Sequence, residues 1–232
     1  MTAEPSPARE AASAAAVELI EDGMTLGLGS GRAVWRVVER LGERFGGEGA
    51  AGLRVAVASE RTRERAREAG LQVVELDGSL ALDLALDGAD EIDPELRLIK
   101  GGGGALLREK IVASAARRFV VVAETPKKVD RLGQEFRLPV EVARFAWRDT
   151  RRRLAHVLPD PELRIREGDR EPYVTDEGHH ILDCPLPEGT DLDTLGARLH
   201  AVPGVLEHGL FAGMAEQAVL GTPDGGVEVL RP

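Results

Sequence analysis

Two patterns of apolar and polar residues alternate along the first 130 positions. Short apolar runs predict buried strands, and apolar residues spaced three or four positions apart predict helices with one buried face. Strands are predicted over 24–28, 53–58, 71–76, 82–87 and 119–123. Helices are predicted over 9–20 and 105–117, with two more beginning after Gly31 and after Ser59. This alternation predicts an α/β fold with a Rossmann-like, mostly parallel sheet flanked by helices.

The pattern changes at about Gly133. The following segments predict a smaller α+β (ferredoxin-like) domain: a strand at 138–143, a helix at 149–158, short strands near 162–166, 172–176 and 180–184, and a helix at 192–201. The apolar stretch after Gly204 could then rejoin the first sheet. We therefore expect an α/β catalytic domain formed by 1–132 and 207–232, with the α+β domain inserted at 133–206.

The composition of the chain argues against nucleic acid and membranes as binding partners. Of the 232 residues, 43% are hydrophobic and 30% are charged, and the net charge is −10. A negative protein is poorly suited to nucleic acid, whose phosphates call for basic surfaces, but a small phosphorylated ligand needs only a local positive site. No apolar run approaches 18 residues, so we expect no membrane partner. The single cysteine, Cys184, permits no internal disulfide, fits a cytoplasmic location and is expected in a buried strand.

Charged groups concentrate just beyond two predicted strands. Asp87 and Asp90 lie at and just after the end of the strand predicted at 82–87. A second, shorter apolar run ends at Lys100 and is followed by Gly101–Gly104, and Glu109 lies on the helix after them. Ligands bind at the carboxyl ends of strands in open parallel sheets. A carboxylate there can move a proton, an ammonium can stabilise an oxyanion, and glycine amides can approach an anion closely. The alternative is that these residues only form turns and helix caps.

A second glycine-rich loop, at 27–31, lies between a strand and a helix. This arrangement presents backbone N–H groups and a helix dipole to an anion. A dinucleotide fingerprint would need a third glycine at position 32, where the chain has Arg32, so we do not expect a nicotinamide cofactor. Ser59 and Thr62 could contact a ligand, or Ser59 could simply cap the next helix.

The lysines and the adjacent histidines each allow a functional and a structural interpretation. The four lysines, at 100, 110, 127 and 128, all lie near these motifs in a chain that otherwise uses arginine. This favours a functional amine at Lys100 and Lys127, although chance in an arginine-rich background is the alternative. The adjacent His179 and His180 have no complete set of further ligands nearby, and neighbouring strand residues face opposite ways. We therefore expect no metal site.

The chain resembles ribose-5-phosphate isomerase of type A. The similarity covers essentially the whole chain in order, and the first two of its motifs are highly specific as a pair. The motifs are DGADEID at 87–93, KGGGGALLREKI at 100–111, PKKVDRLG at 126–133, LPVEV at 138–142, PGVLEHGLF at 203–211 and GTPDG at 221–225.

The resemblance implies an aldose–ketose isomerase that acts through an enediolate and uses no cofactor. It implies Glu109 as the base, Lys100 as the group that stabilises the enediolate, and Asp87 and Asp90 as residues that orient sugar hydroxyls and assist ring opening. It also implies a homodimer or homotetramer. The expected substrate-binding residues are Arg9, Ser30, Gly31, Arg32, Ala33, Ser59, Thr62, Gly88, Ala89, Gly101, Gly102, Gly103 and Lys127.

The chain departs from the family pattern at two places. Arg32 and Ala33 stand where Ser-Thr is usual, and Arg9 replaces a lysine. Either these arginines neutralise the phosphate, or Arg32 points to solvent and phosphate binding is altered. An isomerase for another aldose phosphate and a sugar-phosphate-binding regulatory protein therefore remain alternatives.

Overall fold

A computed structural model describes residues 6–45, 53–168 and 170–232. The chain forms two compact units. The first contains the residues up to Ala89, Arg108–Lys127 and Gly213–Pro232, and the second contains Asp90–Leu107 and Lys128–Ala212. The division expected from the sequence kept residues 90–107, 128–132 and 207–212 in the first domain, whereas here they lie in the second unit. The chain thus changes units inside the DGADEID motif.

A seven-stranded sheet forms the centre of the first unit. Its order is β14-β13-β7-β4-β1-β2-β3, and every neighbouring pair is parallel except β13 with β14. The predicted α/β class is confirmed, and the segment after Gly213 does rejoin this sheet. The strands are β1 Thr25–Leu28, β2 Arg54–Val57, β3 Gln72–Val73, β4 Leu84–Asp87, β7 Phe119–Glu124, β13 Gln217–Gly221 and β14 Val227–Leu230.

Four helices accompany these strands. Two of them have a side-chain cap at the start: Ser6 caps α1 ahead of Pro7, and Ser59 caps α3. In α2, the residues Val34, Val37, Val38 and Leu41 are buried at helical spacing and pack in the core with the strands. The helices are α1 Pro7–Val17, α2 Arg32–Phe45, α3 Glu60–Glu68 and α4 Leu106–Ser114.

The strand order has a switch point between β1 and β4. From β1 the chain proceeds to β2 and β3 on one side, and from β4 it proceeds to β7 and β13 on the other. Crevices at the carboxyl ends of strands beside such a point are where open α/β sheets bind ligands. The loops after Leu28 and Asp87 therefore meet at the edge where a sheet of this topology binds ligands.

The second unit contains a four-stranded antiparallel sheet with two helices. Chain order is strand, helix, strand, strand, helix, strand, and spatial order is β11-β8-β10-β9, the ferredoxin-like arrangement. Cys184 is buried in β10 as expected, and burial raises the pKa of its thiol to about 12. The elements are β8 Leu138–Val142, α5 Trp147–Leu154, β9 Glu162–Leu163, β10 His180–Cys184, α6 Leu192–His200 and β11 Val205–His208.

The predicted strand at 172–176 is wrong. Only a single bridge joins Ile165 to Pro172 there, and a proline has no N–H to extend a ladder. The same unit holds a small sheet, of which the sequence indicated only the strand before Lys100. It consists of β5 Glu91–Ile92, β6 Leu98–Ile99 and β12 Leu210–Phe211, and it ties residues 90–107 to this unit.

None of the helices in the described ranges combines the length and the apolar character needed to cross a bilayer.

An ion-pair cluster joins α1 to α2. The Glu10 carboxylate accepts hydrogen bonds from Arg36 and from Arg40 Nη2, the latter at 2.6 Å. The bond from Arg36 is the largest cause holding the pKa of Glu10 below its usual range. A lowered carboxyl pKa means that the ionised form stabilises the folded state.

We expect Glu10→Gln to lower the free energy of unfolding at neutral pH by about 1 kcal/mol. The stabilisation is present above the ordinary carboxyl pKa and disappears as the pH falls through the lowered folded-state pKa, so variant and wild type should converge in acid. Denaturant titrations across this pH range measure it. Glu18→Gln, at a side chain that is 79% exposed, is the control and should change little. A constant difference at all pH values would contradict the assignment.

Candidate active site

Asp87 lies at the switch point of the first sheet and is 2% exposed. Its Oδ1 accepts hydrogen bonds from the backbone N–H of Gly88 at 2.7 Å and of Ser30 at 3.2 Å. The carboxylate lies over Gly29, where an added Cβ would be 1.8 Å from Asp87 Cγ. The loop after β1 therefore needs glycine at position 29 in order to hold this carboxylate.

The same loop leads into the N-terminus of α2. Gly31 adopts a φ of +93°, a left-handed conformation that favours glycine, and α2 begins at Arg32. The first N–H groups of a helix have no helical acceptor, and the helix dipole favours an anion there. Ser30 and Ala33 are half-buried, whereas Arg32 is exposed. The turn is suited to an anion, and contact between Arg32 and a phosphate stays a prediction.

Ser59 and Thr62 form a buried hydroxyl pair beneath this loop. The Ser59 side chain accepts from Thr62 N as the cap of α3, so the capping interpretation is confirmed. Thr62 Oγ1 donates to the Gly29 carbonyl at 2.9 Å and accepts from Trp35 Nε1 at 3.2 Å. The pair thus supports the backbone beside Asp87, and direct contact with a ligand stays a prediction.

Arg9 and Lys127 lie near the carboxyl end of β7. Arg9 Nη2 donates to Glu124 Oε1 at 2.6 Å, and Ser6 Oγ donates to the other oxygen at 3.0 Å. Lys127 is half-buried and ends the short 3₁₀ turn that follows Glu124. Arg9 is therefore already paired with a carboxylate, so any contact with phosphate would have to share its guanidinium.

Glu109 lies in the first turn of α4 and is 5% exposed. The preceding residue, Arg108, donates to Glu60 Oε1 at 2.7 Å and so ties α4 to α3. A buried carboxylate on an anchored helix is held in one position. Proton transfer requires this kind of placement, because a general base must reach the proton that it removes.

In the second unit, Lys100 is 3% exposed and directly follows β6. Its backbone N–H donates to the Gly209 carbonyl at 2.9 Å, and its Nζ lies 5.5 Å from the centre of the Phe211 ring, which suits a cation–π contact. A Cβ at Gly209 would lie 2.1 Å from the Lys100 carbonyl oxygen. The backbone at Lys100 is thus fixed by close packing against a glycine.

The carbonyls of the glycine turn are held by side chains from the ferredoxin-like part of the same unit. Arg164 Nη1 donates to the carbonyls of Gly101 at 2.7 Å and Gly102 at 3.2 Å. Tyr173 donates its hydroxyl to the Gly103 carbonyl at 3.1 Å. Arg164 is itself held by Asp183, which accepts from its Nε at 2.8 Å.

Because the C=O and the following N–H of a peptide point in opposite directions, these contacts also orient the amides of the turn. The Gly102 amide donates to Asp90 Oδ2 at 2.7 Å, and the Gly104 amide donates to the Gly101 carbonyl at 3.0 Å. Within the described part of the chain, the Gly103 amide has no acceptor. It is a fixed donor that a ligand oxygen could use.

The other two carboxylates of the DGADEID motif are structural. Glu91 accepts the backbone N–H groups of Gly133, Glu135 and Phe136 at 2.5 to 2.7 Å. Asp93 accepts from the backbone N–H and the Nε of Arg97. The hydrogen bonds of both side chains hold loops of the second unit in place. Asp87 and Asp90 are therefore the carboxylates of this motif that are candidates for contact with a substrate.

His179 and His180 do not share a ligand site. His179 Nδ1 lies 2.9 Å from Glu141 Oε1, whereas His180 Nδ1 lies 3.1 Å from the Tyr173 carbonyl oxygen. The two rings have separate partners, as expected from their adjacent positions.

Sequence reasoning missed the residues that hold the two loops: Gly29, Arg164, Tyr173, Asp183 and Phe211. Gly29 and Phe211 lie within stretches already singled out, but nothing in their spacing shows which atoms they would face. Arg164, Tyr173 and Asp183 are 63 to about 80 residues from the turn that they support, so no local pattern could have indicated them.

We expect Glu91→Gln to lower the free energy of unfolding by about 2–3 kcal/mol, because one carboxylate oxygen is replaced by an amide that faces a buried N–H. Glu135→Gln changes an exposed side chain of the same loop and should stay within about 0.5 kcal/mol of wild type. Urea denaturation of both variants tests the difference. Equal midpoints would show that Glu91 is not a structural residue.

Known proteins resemble this chain over nearly its whole length. The family model described as ribose 5-phosphate isomerase A (phosphoriboisomerase A) matches residues 54–225. Ribose-5-phosphate isomerase A of Roseiflexus castenholzii is 48% identical over 225 residues, which is 97% of this chain and 95% of the relative.

Two solved structures are similar in fold and in sequence. One, a D-ribose-5-phosphate isomerase in complex with phospho-erythronic acid, superposes with a TM-score of 0.89 at 34% identity and covers 97% of both chains. The other, ribose 5-phosphate isomerase A of Methanocaldococcus jannaschii, gives 0.89 at 33% identity over 97% of this chain and 98% of its own. On its sequence, its fold and the order of its motifs, the chain belongs to the ribose 5-phosphate isomerase A family.

Proposed function

We propose that this protein interconverts D-ribose 5-phosphate and D-ribulose 5-phosphate, a step of the non-oxidative pentose phosphate pathway. Membership of the isomerase family supports the reaction. The similar isomerase solved with phospho-erythronic acid supports a phosphorylated, sugar-like ligand. Within the chain, the observation that carries the proposal is the glycine turn, which directly follows a buried lysine and whose carbonyls are held by Arg164 and Tyr173.

Glu109 is the proposed base. Its carboxylate removes the proton from C2 of the open-chain aldose, and the electron pair moves through C1 onto the carbonyl oxygen to give an enediolate. The proton is then returned to C1, while the hydroxyl proton of O2 is transferred to O1, so the ketose forms with no net loss of atoms or electrons. The burial of Glu109 on an anchored helix supports this role.

Lys100 and the Gly103 amide are the proposed donors to the enediolate oxygens. An ammonium and a backbone N–H that are already positioned stabilise developing negative charge without reorganising. Asp87 and Asp90 orient the sugar hydroxyls and assist ring opening, and both carboxylates are fixed by backbone N–H groups. Gly88, Ala89, Gly101 and Gly102 line the sugar in this proposal.

The phosphate is assigned to the N-terminus of α2. The amides of Ser30, Gly31, Arg32 and Ala33 are the proposed donors, because unpaired helix N–H groups and the dipole favour an anion. Ser59, Thr62, Lys127 and Arg9 complete the proposed set of binding residues.

Assembly and location complete the proposal. We place the protein in the cytoplasm as a homodimer or homotetramer. The exposed apolar side chains of the second unit support a subunit contact there, since Phe145 is 89% exposed and Val174 and Leu206 are each 37% exposed. The single reduced cysteine supports a reducing compartment.

We expect Glu109→Gln to lower kcat by about 10²- to 10⁴-fold, the usual contribution of a positioned general base, without changing the fold. A coupled assay of ribose 5-phosphate conversion, run with and without chelator, measures the rate, and circular dichroism checks folding. Glu64→Gln, an exposed glutamate on α3, is the matched control. Turnover close to wild type in Glu109→Gln would remove this residue from the role of base.

Gly29→Ala should inactivate through Asp87. The new methyl group displaces the Asp87 carboxylate, so we expect kcat to fall by about 10²-fold, a typical effect of misplacing a catalytic group by 1 Å. Asp87→Asn should have a similar effect, and the double variant should be no worse than either single one, because both changes remove the same carboxylate. If the fold-losses in kcat of the two single variants multiply in the double variant, Gly29 acts independently of Asp87.

A further inference from the structure

The C-terminus of α6 and the end of β11 bring together three side chains that the isomerase mechanism does not use. His200 is the last residue of α6, and Glu207 and His208 end β11 after a short turn. The pairing of β11 with β8 shifts register before Glu207, and the Glu207 carboxylate turns back to the backbone N–H of His208, so these two neighbours do not simply face opposite ways. One ligand atom from each lies within 4.8 Å of the other two. Two imidazoles and one carboxylate form a common ligand set for zinc sites with three protein ligands.

The distances within this cluster fit a metal ion. His200 Nε2 is 3.3 Å and His208 Nε2 is 3.8 Å from the same oxygen, Glu207 Oε1. Ligand bonds of about 2.0–2.1 Å at tetrahedral angles place ligand atoms about 3.3 Å apart. The 3.8 Å separation between His208 Nε2 and Glu207 Oε1 is longer than a hydrogen bond and lies within ion-pair distance. The two rings are tilted by 57° and are not stacked.

A glycine of α6 faces one of the ligand nitrogens. Gly196 lies four residues before His200 on α6, and a Cβ there would be 3.1 Å from His208 Nε2. Glycine inside a helix costs roughly 0.5–1 kcal/mol relative to alanine, so its use facing this nitrogen calls for an explanation. Glu207 Oε1 also accepts the backbone N–H of His208 at 2.9 Å, which fixes the carboxylate as outer hydrogen bonds do in metal sites.

Burial decreases across the cluster. His208 is 5% exposed, whereas the side chains of Glu207 and His200 are 14% and 47% exposed. Two ligands are therefore held by the protein, the third comes from the end of a helix, and the solvent side is open to a water as the fourth ligand. We infer that His200, Glu207 and His208 bind one first-row divalent cation of the Zn²⁺ or Co²⁺ type, which would tie α6 to β11.

The test is metal binding by the full-length chain. Protein stripped with a chelator is titrated with Co²⁺, followed by visible absorption, and with Zn²⁺, followed by calorimetry. We expect one ion per chain. His200→Ala should weaken binding by more than about 10-fold, since even outer-shell partners of a metal contribute about 10- to 100-fold. His156→Ala, an exposed histidine in the turn after α5, is the matched control and should bind as wild type does.

Two further readouts keep the test decisive. Zn²⁺ should raise the Tm of wild type and of His156→Ala but not of His200→Ala. Gly196→Ala keeps all three ligands but places a methyl group 3.1 Å from His208 Nε2, so we expect weaker metal binding. Binding that is absent, that does not saturate at one ion, or that is unchanged in His200→Ala would overturn the inference. None of these readouts depends on isomerase activity, so this result stands apart from that of the proposed function.

Discussion

The contact between Asp87 and Gly29 is the constraint around which the first unit is arranged. Parallel pairing of β1 with β4 brings the end of one strand beside the end of the other at the switch point of the sheet. The carboxylate can lie there only because position 29 has no side chain. The hydroxyls of Ser59 and Thr62 support the same loop from below, so the orientation of one buried carboxylate depends on three neighbouring strand ends.

In the second unit, side chains hold the glycine turn at 101–104 in one conformation. Consecutive glycines have the largest conformational freedom of any sequence, and ordering them is costly. Arg164 and Tyr173 hold three successive carbonyls, and Asp183 in turn holds Arg164. Since each peptide is planar, fixing its carbonyl also fixes the direction of the next N–H. Pre-organised backbone donors of this kind are what stabilisation of an oxyanion requires.

The acidic motif shows how neighbouring residues of like charge take different roles. Asp87 belongs to the first unit, whereas Asp90, Glu91 and Asp93 belong to the second. Glu91 and Asp93 are saturated by backbone and arginine N–H groups and so are structural. Asp90 accepts the Gly102 amide and Asp87 accepts the Gly88 and Ser30 amides. The roles follow from hydrogen-bond partners and could not be assigned from charge or spacing alone.

The sequence by itself determined the α/β class, most helices and longer strands, and the positions of the candidate loops, because hydrophobic periodicity, glycine turns and helix caps act over a few residues. Only the tertiary structure decided which unit holds residues 90–107, since the two-residue strands β5, β6 and β12 are too short to show a period. It also decided which carboxylates are structural and which side chains hold the glycine turn. Arg164 is 63 residues from Gly101, and Ser30 is 57 from Asp87. Such contacts depend on strand order and on the exact fit of side chains in space, which a local pattern does not encode.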